Sequence, residues 1–489
     1  MPEMDLKHTF IDKLHALCQE CNPSPALSPK MLMFNESLAK DMGLEYLTQN
    51  SNECLDLLSG NKIYKDSRPI AMAYSGHQFG HFNPQLGDGR AHLLGEIIDK
   101  EGNLKDIQLK GSGRTPFSRR GDGKSALGPV LREYLISESM HVLGIPTTRS
   151  LAAIHTGEKV FREEESFGGI MTRVASSHLR IGSFEYAYKN KDISMVKNLA
   201  DYSISRHYPE IASVDNSYLA FFAAVCNQQA SLIASWMTVG FIHGVMNTDN
   251  MTISGETIDY GPCAFMDAYN PSTVFSSIDV NGRYAYSNQP AILTWNLTRL
   301  AETLIPLINK DKNESIKLLT EVLQLIKPVY TNYWLSMMRS KIGLSKEEKS
   351  DIELIANLLE IMEEEKTDFT LSFRFLSKSL IGDSQTVRAL FNNSRRFDCW
   401  MMIWKERISQ EGIAEEKIAA SMDKVNPLYI PRNYKVEDAL KSAVFENNME
   451  PFEKLYSVLQ NPYKEINGHE SFAGPAPESD IPYRTFCGT

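Results

Sequence analysis

The sequence predicts an α+β fold, because strand patterns and helix patterns occupy different parts of the chain. Between about residues 61 and 185, short apolar segments punctuated by glycines predominate, and AHLLGEII (91–98) and DIQLK (106–110) have the length and composition of strands. After about residue 290, apolar residues recur almost entirely at helical spacing. The chain therefore has a sheet-rich part followed by a helical part.

The length indicates more than one packed unit, since 489 residues exceed what a single hydrophobic core usually serves. We predict four regions: an N-terminal extension (1–60), a sheet-rich lobe (61–185), a second lobe (186–335) and a helical C-terminal extension with an irregular tail (336–489). Within the second lobe, residues 216–244 predict a long buried helix that leads straight into His243.

The charge balance argues against a nucleic-acid partner, because 61 acidic against 51 basic residues give a formal charge of −10. The N-terminal MPEMDLKHTFIDKLHAL has no uninterrupted apolar run, and no later segment reaches the roughly 18 apolar residues typical of a membrane span. We expect a cytoplasmic protein with no membrane partner.

Seven scattered cysteines do not suggest a disulfide framework. Cys18 and Cys21 form a single C-x-x-C without a second pair, so we expect a helix-borne coincidence rather than a zinc or redox site.

Lys110 ends a predicted strand, and Glu133 lies in the helical pattern ALGPVLREYLISESMHVLGI that follows. In protein kinases a strand lysine contacts the nucleotide phosphates and is oriented by a helix glutamate. The alternative is a surface ion pair worth about 0–1 kcal/mol. The order strand, strand, helix is that of a kinase N-terminal lobe, and it favours the phosphate interpretation.

Two glycine-rich loops flank this lysine. The first, LGDGR, contains Gly87, Gly89 and Arg90, and the second, RTPFSRRGDGKSALG, contains Asp122 and Gly123 among four basic residues. Glycines let backbone amides approach phosphates, and arginine offers a planar fork that matches them. Each loop alone is as typical of a turn or a solvated face, but together they indicate a polyphosphate.

Residues 243–261, HGVMNTDNMTISGETIDYG, resemble the catalytic segment of a protein kinase. His243, Asn250 and the triplet beginning at Asp259 stand at the kinase positions, but Val245 replaces the base aspartate. The intervening MTISGETI predicts a hairpin that brings Asn250 and Asp259 together. An amide oxygen and a carboxylate suit Mg²⁺ or Mn²⁺ carried by a nucleotide, although either residue can also simply cap a turn.

Four strings, SGHQFGHFNPQLGDGRA, DIQLKGSGRTPFSRRGDGKSALGPVLREYLISE, HGVMNTDNM-x8-DYGP and NPLYIPRNYKVEDAL, resemble the selenoprotein O family of kinase-like protein adenylyltransferases. The likeness is dense from about residue 65 to 280 and continues in patches to the C-terminus. It implies a protein-kinase-like two-lobed fold that binds ATP reversed, so that AMP passes to a protein hydroxyl and pyrophosphate is released. Protein substrates, including this chain itself, and UTP as a second donor follow from the same resemblance.

The resemblance also implies roles for individual residues. Lys110 and Glu133 would hold the phosphates, and Asn250 and Asp259 would bind the metal. The nucleotide site would be lined by Gly87, Gly89, Arg90, Asp122, Gly123, Arg173, Arg180 and Asp259. Asp249, directly before the metal asparagine, would be the proton acceptor, with a purely structural role in the metal loop as the alternative.

Three questions stay open from sequence. A general base usually contributes about 10²–10⁴-fold, whereas phosphoryl-type transfer depends mostly on positioning and charge neutralisation, so Val245 does not exclude nucleotide transfer. A small-molecule phosphotransferase and a catalytically silent pseudokinase are the rival functions. By resemblance, Cys487 occupies the place of the family's C-terminal selenocysteine. Some bacterial members pair this cysteine with one in the loop after Asp-Tyr-Gly; here Phe275 stands at that position, and Cys263, 12 residues earlier, is the only local alternative. A redox switch and an inert thiol therefore both stay open.

Overall fold

A computed structural model describes residues 5–48, 51–162, 165–477 and 483–485. Helices and strands are both abundant, which confirms the α+β prediction. The strands in the described residues are β1 (Cys18–Glu20), β2 (Lys30–Phe34), β3 (Ile70–Met72), β4 (Gly76–Gln78), β5 (His81–Asn83), β6 (Ala91–Ile98), β7 (Leu104–Lys110), β8 (Ser125–Ala126), β9 (Arg149–Phe161), β10 (Glu165–Ala175), β11 (Phe241–Ile242) and β12 (Ala264–Phe265).

The α-helices in the same residues begin near the N-terminus and dominate the second half of the chain. They are α1 (Thr9–Leu14), α2 (Glu36–Asp41), α3 (Asn52–Leu58), α4 (Leu127–Val142), α5 (Ile181–Lys189), α6 (Ile193–His207), α7 (Ser217–Thr238), α8 (Gln289–Ile308), α9 (Lys312–Lys341), α10 (Asp351–Glu364), α11 (Phe369–Leu376), α12 (Gln385–Arg388), α13 (Ser394–Ser409), α14 (Glu415–Val425), α15 (Asn433–Phe445) and α16 (Glu450–Leu459).

The main sheet is antiparallel, in the order β1-β3-β6-β7-β10-β9-β2, and β8 pairs with β10. The two predicted strands correspond to β6 and to the last five residues of β7. The N-terminal segment contributes β1 and β2, which form the opposite edges of this sheet. The predicted N-terminal extension thus contributes two strands to the sheet.

Strand β7 presents two chemically different faces, because successive side chains of a strand point to opposite sides of the sheet. Ile107 and Leu109 are fully buried in an apolar cluster with α2 and α3. Asp106, Gln108 and Lys110 occupy the other face, where each binds polar side chains. This alternation aims Lys110 away from the apolar core behind the sheet.

The helical part surrounds α7, which packs against α8 and α9. The predicted helix over 216–244 is confirmed for most of its length, but it ends at Thr238, and β11 lies between it and His243. Gly240 has a φ of +70°, which favours glycine and ends the helix direction before β11. The prediction that this helix leads straight into His243 was wrong by these few residues.

Cys18 begins β1, so the expectation that the C-x-x-C lies on a helix was wrong. No helix within the described ranges is long and apolar enough to cross a membrane.

Candidate active site

A cavity of about 840 Å³ lies between the polar face of the sheet, α4 and the loop after β11. It is lined by every residue predicted for a nucleotide, metal or catalytic role: Gly87, Gly89, Arg90, Lys110, Asp122, Gly123, Glu133, Arg173, Arg180, Asp249, Asn250 and Asp259. Residues that are up to 172 positions apart in sequence therefore share one chamber, while their individual roles stay predictions.

A network of charged side chains is centred on Asp259. Lys110 Nζ donates to Glu133 Oε2 at 2.6 Å and to Asp259 Oδ1 at 2.8 Å. Arg173 donates to the same Asp259 oxygen at 2.8 Å and to Glu133 Oε1 at 3.2 Å. Arg180 donates to Asp259 Oδ2 at 2.5 Å. Three cations and two carboxylates thus hold one another in place at the floor of the cavity.

The environment keeps Asp259 ionised. Burial alone would raise its pKa, but Lys110, Arg180 and Arg173 outweigh that effect and hold the pKa well below its usual range. The residue also has a φ of +61°, a left-handed conformation that costs a non-glycine residue about 1–2 kcal/mol. The surrounding ion pairs offset this strain and fix the direction of the carboxylate.

Asn250 lies at the end of a short 3₁₀ turn, Thr248–Asn250. Its Nδ2 donates to the backbone oxygen of Val245 at 3.0 Å, which orients the amide so that Oδ1 is the remaining acceptor. His243 is buried beneath this loop, stacked on Trp236, and its Nε2 lies 2.9 Å from the backbone oxygen of Ile258. His243 therefore supports the loop from within the core.

The segment between Asn250 and Asp259 does not form the predicted hairpin. Gly255 makes the expected turn with a φ of +78°, but the two arms pair with other segments. Thr252 forms a bridge with Arg180, and Thr257 forms one with Thr147. Across the turn the arms stay linked through the Thr252 side chain, whose Oγ1 accepts from the Glu256 N–H at 2.9 Å and donates to the Glu256 backbone oxygen at 2.7 Å. The backbone of each arm instead pairs with a neighbouring chain segment, which joins Arg180 to the loop it faces.

Asp249 is a buried carboxylate at the cavity wall. Its Oδ2 accepts from Gln78 Nε2 at 3.1 Å, whereas Oδ1 is buried and has no hydrogen-bond partner in the described residues. Burial raises its pKa from 3.8 to about 6. Gly76 makes room for it, since a Cβ at that glycine would lie 2.3 Å from Oδ1. The chain thus tolerates an under-satisfied carboxylate where a reacting proton could be accepted.

The glycines of the two loops permit close packing at the cavity rim. A Cβ at Gly87 would lie 2.5 Å from the ring of Phe117, and one at Gly123 would lie 2.2 Å from the backbone of Gly113. Both glycines have a positive φ. Asp122 is held by the two terminal nitrogens of Arg162, at 2.9 and 3.0 Å, so the second loop is tied to the end of β9.

The basic residues of the second loop differ in the groups that they contact. Arg114 donates to the backbone of Gly121, and Lys124 pairs with Glu158, whereas Arg119 and Arg120 line the cavity. Basic side chains outnumber acidic ones around the cavity, although the whole chain has a charge of −10. A cationic chamber in an acidic protein is suited to a polyphosphate anion.

Among the cavity residues that sequence reasoning missed, four have polar partners of note. Gln78 binds Asp249, Arg162 binds Asp122, and Tyr74 stacks under the guanidinium of Arg180 at 4.7 Å. Asp88 accepts from Gln108 at 3.0 Å on the wall of the cavity. Gln78 and Asp88 lie within a string that pointed to the family, but no local pattern identifies Arg162, whose partner is 40 residues away.

The donor set fits a divalent cation that arrives with a nucleotide. Asn250 Oδ1 and an ionised Asp259 are hard oxygen ligands, and three hydrogen bonds to the Asp259 carboxylate leave one of its lone-pair positions open. No group of three or more His, Cys, Asp or Glu side chains in the described part of the chain could hold a metal alone. Phosphate oxygens and water would have to complete the shell, as is usual for Mg²⁺.

The predicted redox position, Cys487, lies outside the described residues. Phe275 packs against Tyr483, and the adjacent Ser276 pairs with Thr485, so residues 483–485 run beside the loop that follows Asp259. Cys263 is buried, and its backbone oxygen accepts from Arg132 at 2.7 Å.

Comparison with known proteins agrees with this geometry. A family model described as protein adenylyltransferase SelO matches residues 3–460. The chain is 50% identical over 469 residues to the protein nucleotidyltransferase YdiU of Rhizobium rhizogenes, covering 96% of this chain and 93% of that protein. The YdiU proteins of Cereibacter sphaeroides (52% over 468 residues, 95% of each chain) and Maridesulfovibrio salexigens (50% over 471 residues, 96% and 95%) are similar to the same extent.

Proposed function

Because this chain belongs to the protein adenylyltransferase SelO family and is a nucleotidyltransferase, we propose that it transfers AMP from ATP to Ser, Thr or Tyr hydroxyls of proteins. One observation carries the proposal. A single cavity combines the Lys110–Glu133 pair, the Asn250–Asp259 donor set and the buried Asp249, with Val245 where a kinase has its base. These residues would form a phosphate and metal site in which the proton acceptor is Asp249 instead of a residue at position 245.

The same observations support a protein-kinase-like arrangement of two lobes. A strand lysine on β7 pairs with a helix glutamate on α4, and the metal donors lie on the loop that follows a short strand after α7. These parts stand in the order and pairing found in kinases. We infer that the sheet and the helical part enclose the nucleotide in the same way.

The transfer needs one bond to form and one to break at the α-phosphorus, together with the transfer of one proton. The acceptor hydroxyl oxygen forms a bond to the α-phosphorus, the bond from that phosphorus to the bridging oxygen of the β-phosphate breaks, and pyrophosphate leaves with the electron pair. The hydroxyl proton passes to a carboxylate oxygen of Asp249, which is ionised in most molecules above about pH 6. A bound Mg²⁺ or Mn²⁺ would neutralise phosphate charge during this step.

ATP bound in the reversed orientation would direct its terminal phosphates inward. The charge there needs cations, and Lys110, Arg119, Arg120 and Arg162 line the cavity on the side of the two glycine-rich loops. Lys110, Arg173 and Arg180 all donate to Asp259, so these three cations would hold that carboxylate and face the phosphates at the same time. Preorganised charge of this kind is usually the largest catalytic contribution in phosphoryl transfer.

The proposal is tested by incubating the full chain with Mg²⁺ or Mn²⁺ and ATP labelled at either the α- or the γ-phosphate. We expect label on protein only from α-labelled ATP, an intact-mass increase of one AMP, and loss of both in Asp259→Asn. Label from γ-labelled ATP alone would make the protein a phosphotransferase, and no label from either would make it a silent nucleotide-binding module. A parallel incubation with UTP tests UMP transfer.

A further inference from the structure

A second depression of about 630 Å³ adjoins the nucleotide cavity. Phe79 and Ile278 line both spaces, so the depression opens directly beside the site of transfer. The remaining wall comes from the segment Asp279–Arg283 and the start of α8. We call this depression, defined by Phe79, Ile278, Val280, Arg283 and Ala291, the flanking groove.

The groove is fixed to the loop that carries Asp249. The backbone N–H of Phe79 donates to Asn247 Oδ1 at 3.0 Å, and the hydroxyl of Tyr284 donates to the same oxygen at 2.6 Å. The rings of Phe79 and Tyr284 pack with their centroids 5.1 Å apart. A chain segment lying in the groove would therefore be held at a constant distance from the proposed proton acceptor.

Phe79 lies between the two spaces in a strained backbone conformation. It stands with Gly80 in the two-residue turn between β4 and β5, and its φ is +51°. Turns of this type favour Asn or Gly at that position, because a bulky side chain is strained there. The preceding residue, Gln78, binds Asp249. Strain kept at the border of a cavity, next to a proposed catalytic group, indicates a functional constraint on this ring.

The groove carries an uncompensated positive charge. The guanidinium of Arg283 lies 4.7 Å from the ring centroid of Trp295, and its buried Nε has no hydrogen-bond partner among the described residues. No carboxylate in the described part of the chain forms an ion pair with it; Asp279 instead accepts from the backbone N–H groups of Arg283 and Tyr284. Gly80 has no side chain to cover the guanidinium.

The groove also has an exposed apolar wall. Val280 is 89% exposed and Ile278 is 55% exposed. Together with Phe79, these two side chains offer apolar contact to a segment lying in the groove. A flat arginine next to apolar contacts is typical of the residues that carry binding energy in protein interfaces.

We propose that the flanking groove docks the acceptor polypeptide, with Arg283 binding an acidic side chain of that polypeptide and Ile278 and Val280 contacting an apolar one, while the acceptor hydroxyl passes Phe79 to reach Asp249. This inference rests on the proposed AMP transfer and specifies its protein substrate. The preferred acceptor is a hydroxyl residue with an acidic residue and an apolar residue close to it in sequence.

The test uses synthetic 12-residue peptides that contain one Ser and one Leu, with Glu, Ala or Lys at the flanking positions. Peptide binding is followed by fluorescence anisotropy, and AMP transfer by mass. We expect Arg283→Glu to raise the KM for Glu-flanked peptides about tenfold, equivalent to about 1.4 kcal/mol, with little change in kcat, and to favour Lys-flanked peptides instead. ATP affinity, measured by calorimetry, should be unchanged.

Two further variants keep the test independent of folding defects. Val280→Glu alters a residue that is almost fully exposed, and it should weaken the binding of Glu-flanked peptides while leaving thermal stability unchanged. Arg395→Glu reverses an exposed charge on α13, and it should leave peptide binding, AMP transfer and thermal stability unchanged.

The failure of the groove and the failure of the proposed function give different results. If wild type transfers AMP but Arg283→Glu keeps the same peptide preference, or if wild type labels itself and no peptide, the groove proposal is overturned. Peptide binding that depends on Arg283 without any AMP transfer would refute the proposed function, but it would support the groove as a peptide-binding site. A dimer that Arg283→Glu dissociates, with peptide binding unaltered, would show that a second copy of the chain occupies the groove.

Discussion

Replacing Asp249 with Asn should stabilise the protein while it slows AMP transfer. The carboxylate is buried, one of its oxygens has no hydrogen-bond partner in the described structure, and burial raises its pKa from 3.8 to about 6. At neutral pH the folded protein must hold this group ionised in surroundings that favour the neutral form. Asn has nearly the same shape and carries no charge, so the variant avoids that penalty.

The size of the effect follows from the two pKa values. A pKa raised on folding means that the penalty is absent below about pH 4, grows as the pH rises through about 6 and is complete above it. At about 1.36 kcal/mol per pKa unit, the complete penalty is about 3 kcal/mol. For a cooperative unit of this length, an entropy of unfolding of about 2 cal/mol/K per residue converts this to a rise in Tm of about 3 °C.

The assay is thermal unfolding of Asp249→Asn and wild type without nucleotide, between pH 4 and pH 8, followed by circular dichroism. Asp215→Asn, a substitution at an exposed turn residue, is the matched control. The difference in Tm between Asp249→Asn and wild type should be near zero at pH 4 and reach its full value by pH 7 to 8. In the same variant, kcat/KM for AMP transfer should fall by about 10²–10⁴-fold.

A variant that is less stable than wild type at pH 8, or a Tm difference that does not change with pH, would refute the assignment of Asp249 as a buried carboxylate under electrostatic strain. Undiminished transfer at normal or raised stability would refute its role as proton acceptor while leaving the strain argument intact.

Three further changes test other parts of the site and its support. Glu133→Gln removes the helix charge that orients Lys110, and it should raise the KM for ATP about tenfold or more, measured by initial rates of AMP transfer at varied ATP; an unchanged KM would mean that the pair is not needed for phosphate binding. Gly123→Ala should abolish ATP binding measured by calorimetry, because a Cβ there meets backbone at 2.2 Å, whereas Gly102→Ala, where φ is also positive but the surrounding space is open, should retain it. Asp106→Asn removes the nearer of the two carboxylates that face the buried guanidinium of Arg206, at 2.5 Å against 3.8 Å for Glu96. The free energy of unfolding at pH 7, measured by urea denaturation, should fall by up to about 3–5 kcal/mol, and a loss below about 1 kcal/mol would contradict this reasoning.

Spacing along the chain was enough to predict much of the candidate site. The lysine, the glutamate and the metal donors were predicted because kinase-type chemistry requires those residue types at ordered intervals, and the family resemblance supplied the rest. All of them line one cavity in the structure. Their local elements were also predictable, since the strand at 91–98 and the helix that carries Glu133 follow from apolar periodicity.

Errors arose where a segment pairs with a distant one. The arms between Asn250 and Asp259 were expected to pair with each other, but Thr252 and Thr257 bridge to residues 72 and 110 positions earlier. The N-terminal segment gave no sign that it would supply both edges of the sheet. In each case the local pattern is compatible with several partners, and the backbone hydrogen bonds are satisfied by whichever segment packing brings near.

The sequence by itself determined the fold class and the family and supplied the candidate residues for phosphate and metal, because these depend on residue type, period and spacing. Only the tertiary structure decided that Arg173 and Arg180 hold Asp259, and that Gln78 and Gly76 accommodate a buried Asp249. It also decided that Arg283 faces a groove in which none of the described carboxylates forms an ion pair with it. Those relations depend on distances of a few ångströms between residues far apart in the chain, and on how much water burial removes. Neither quantity is encoded in any local pattern of the sequence.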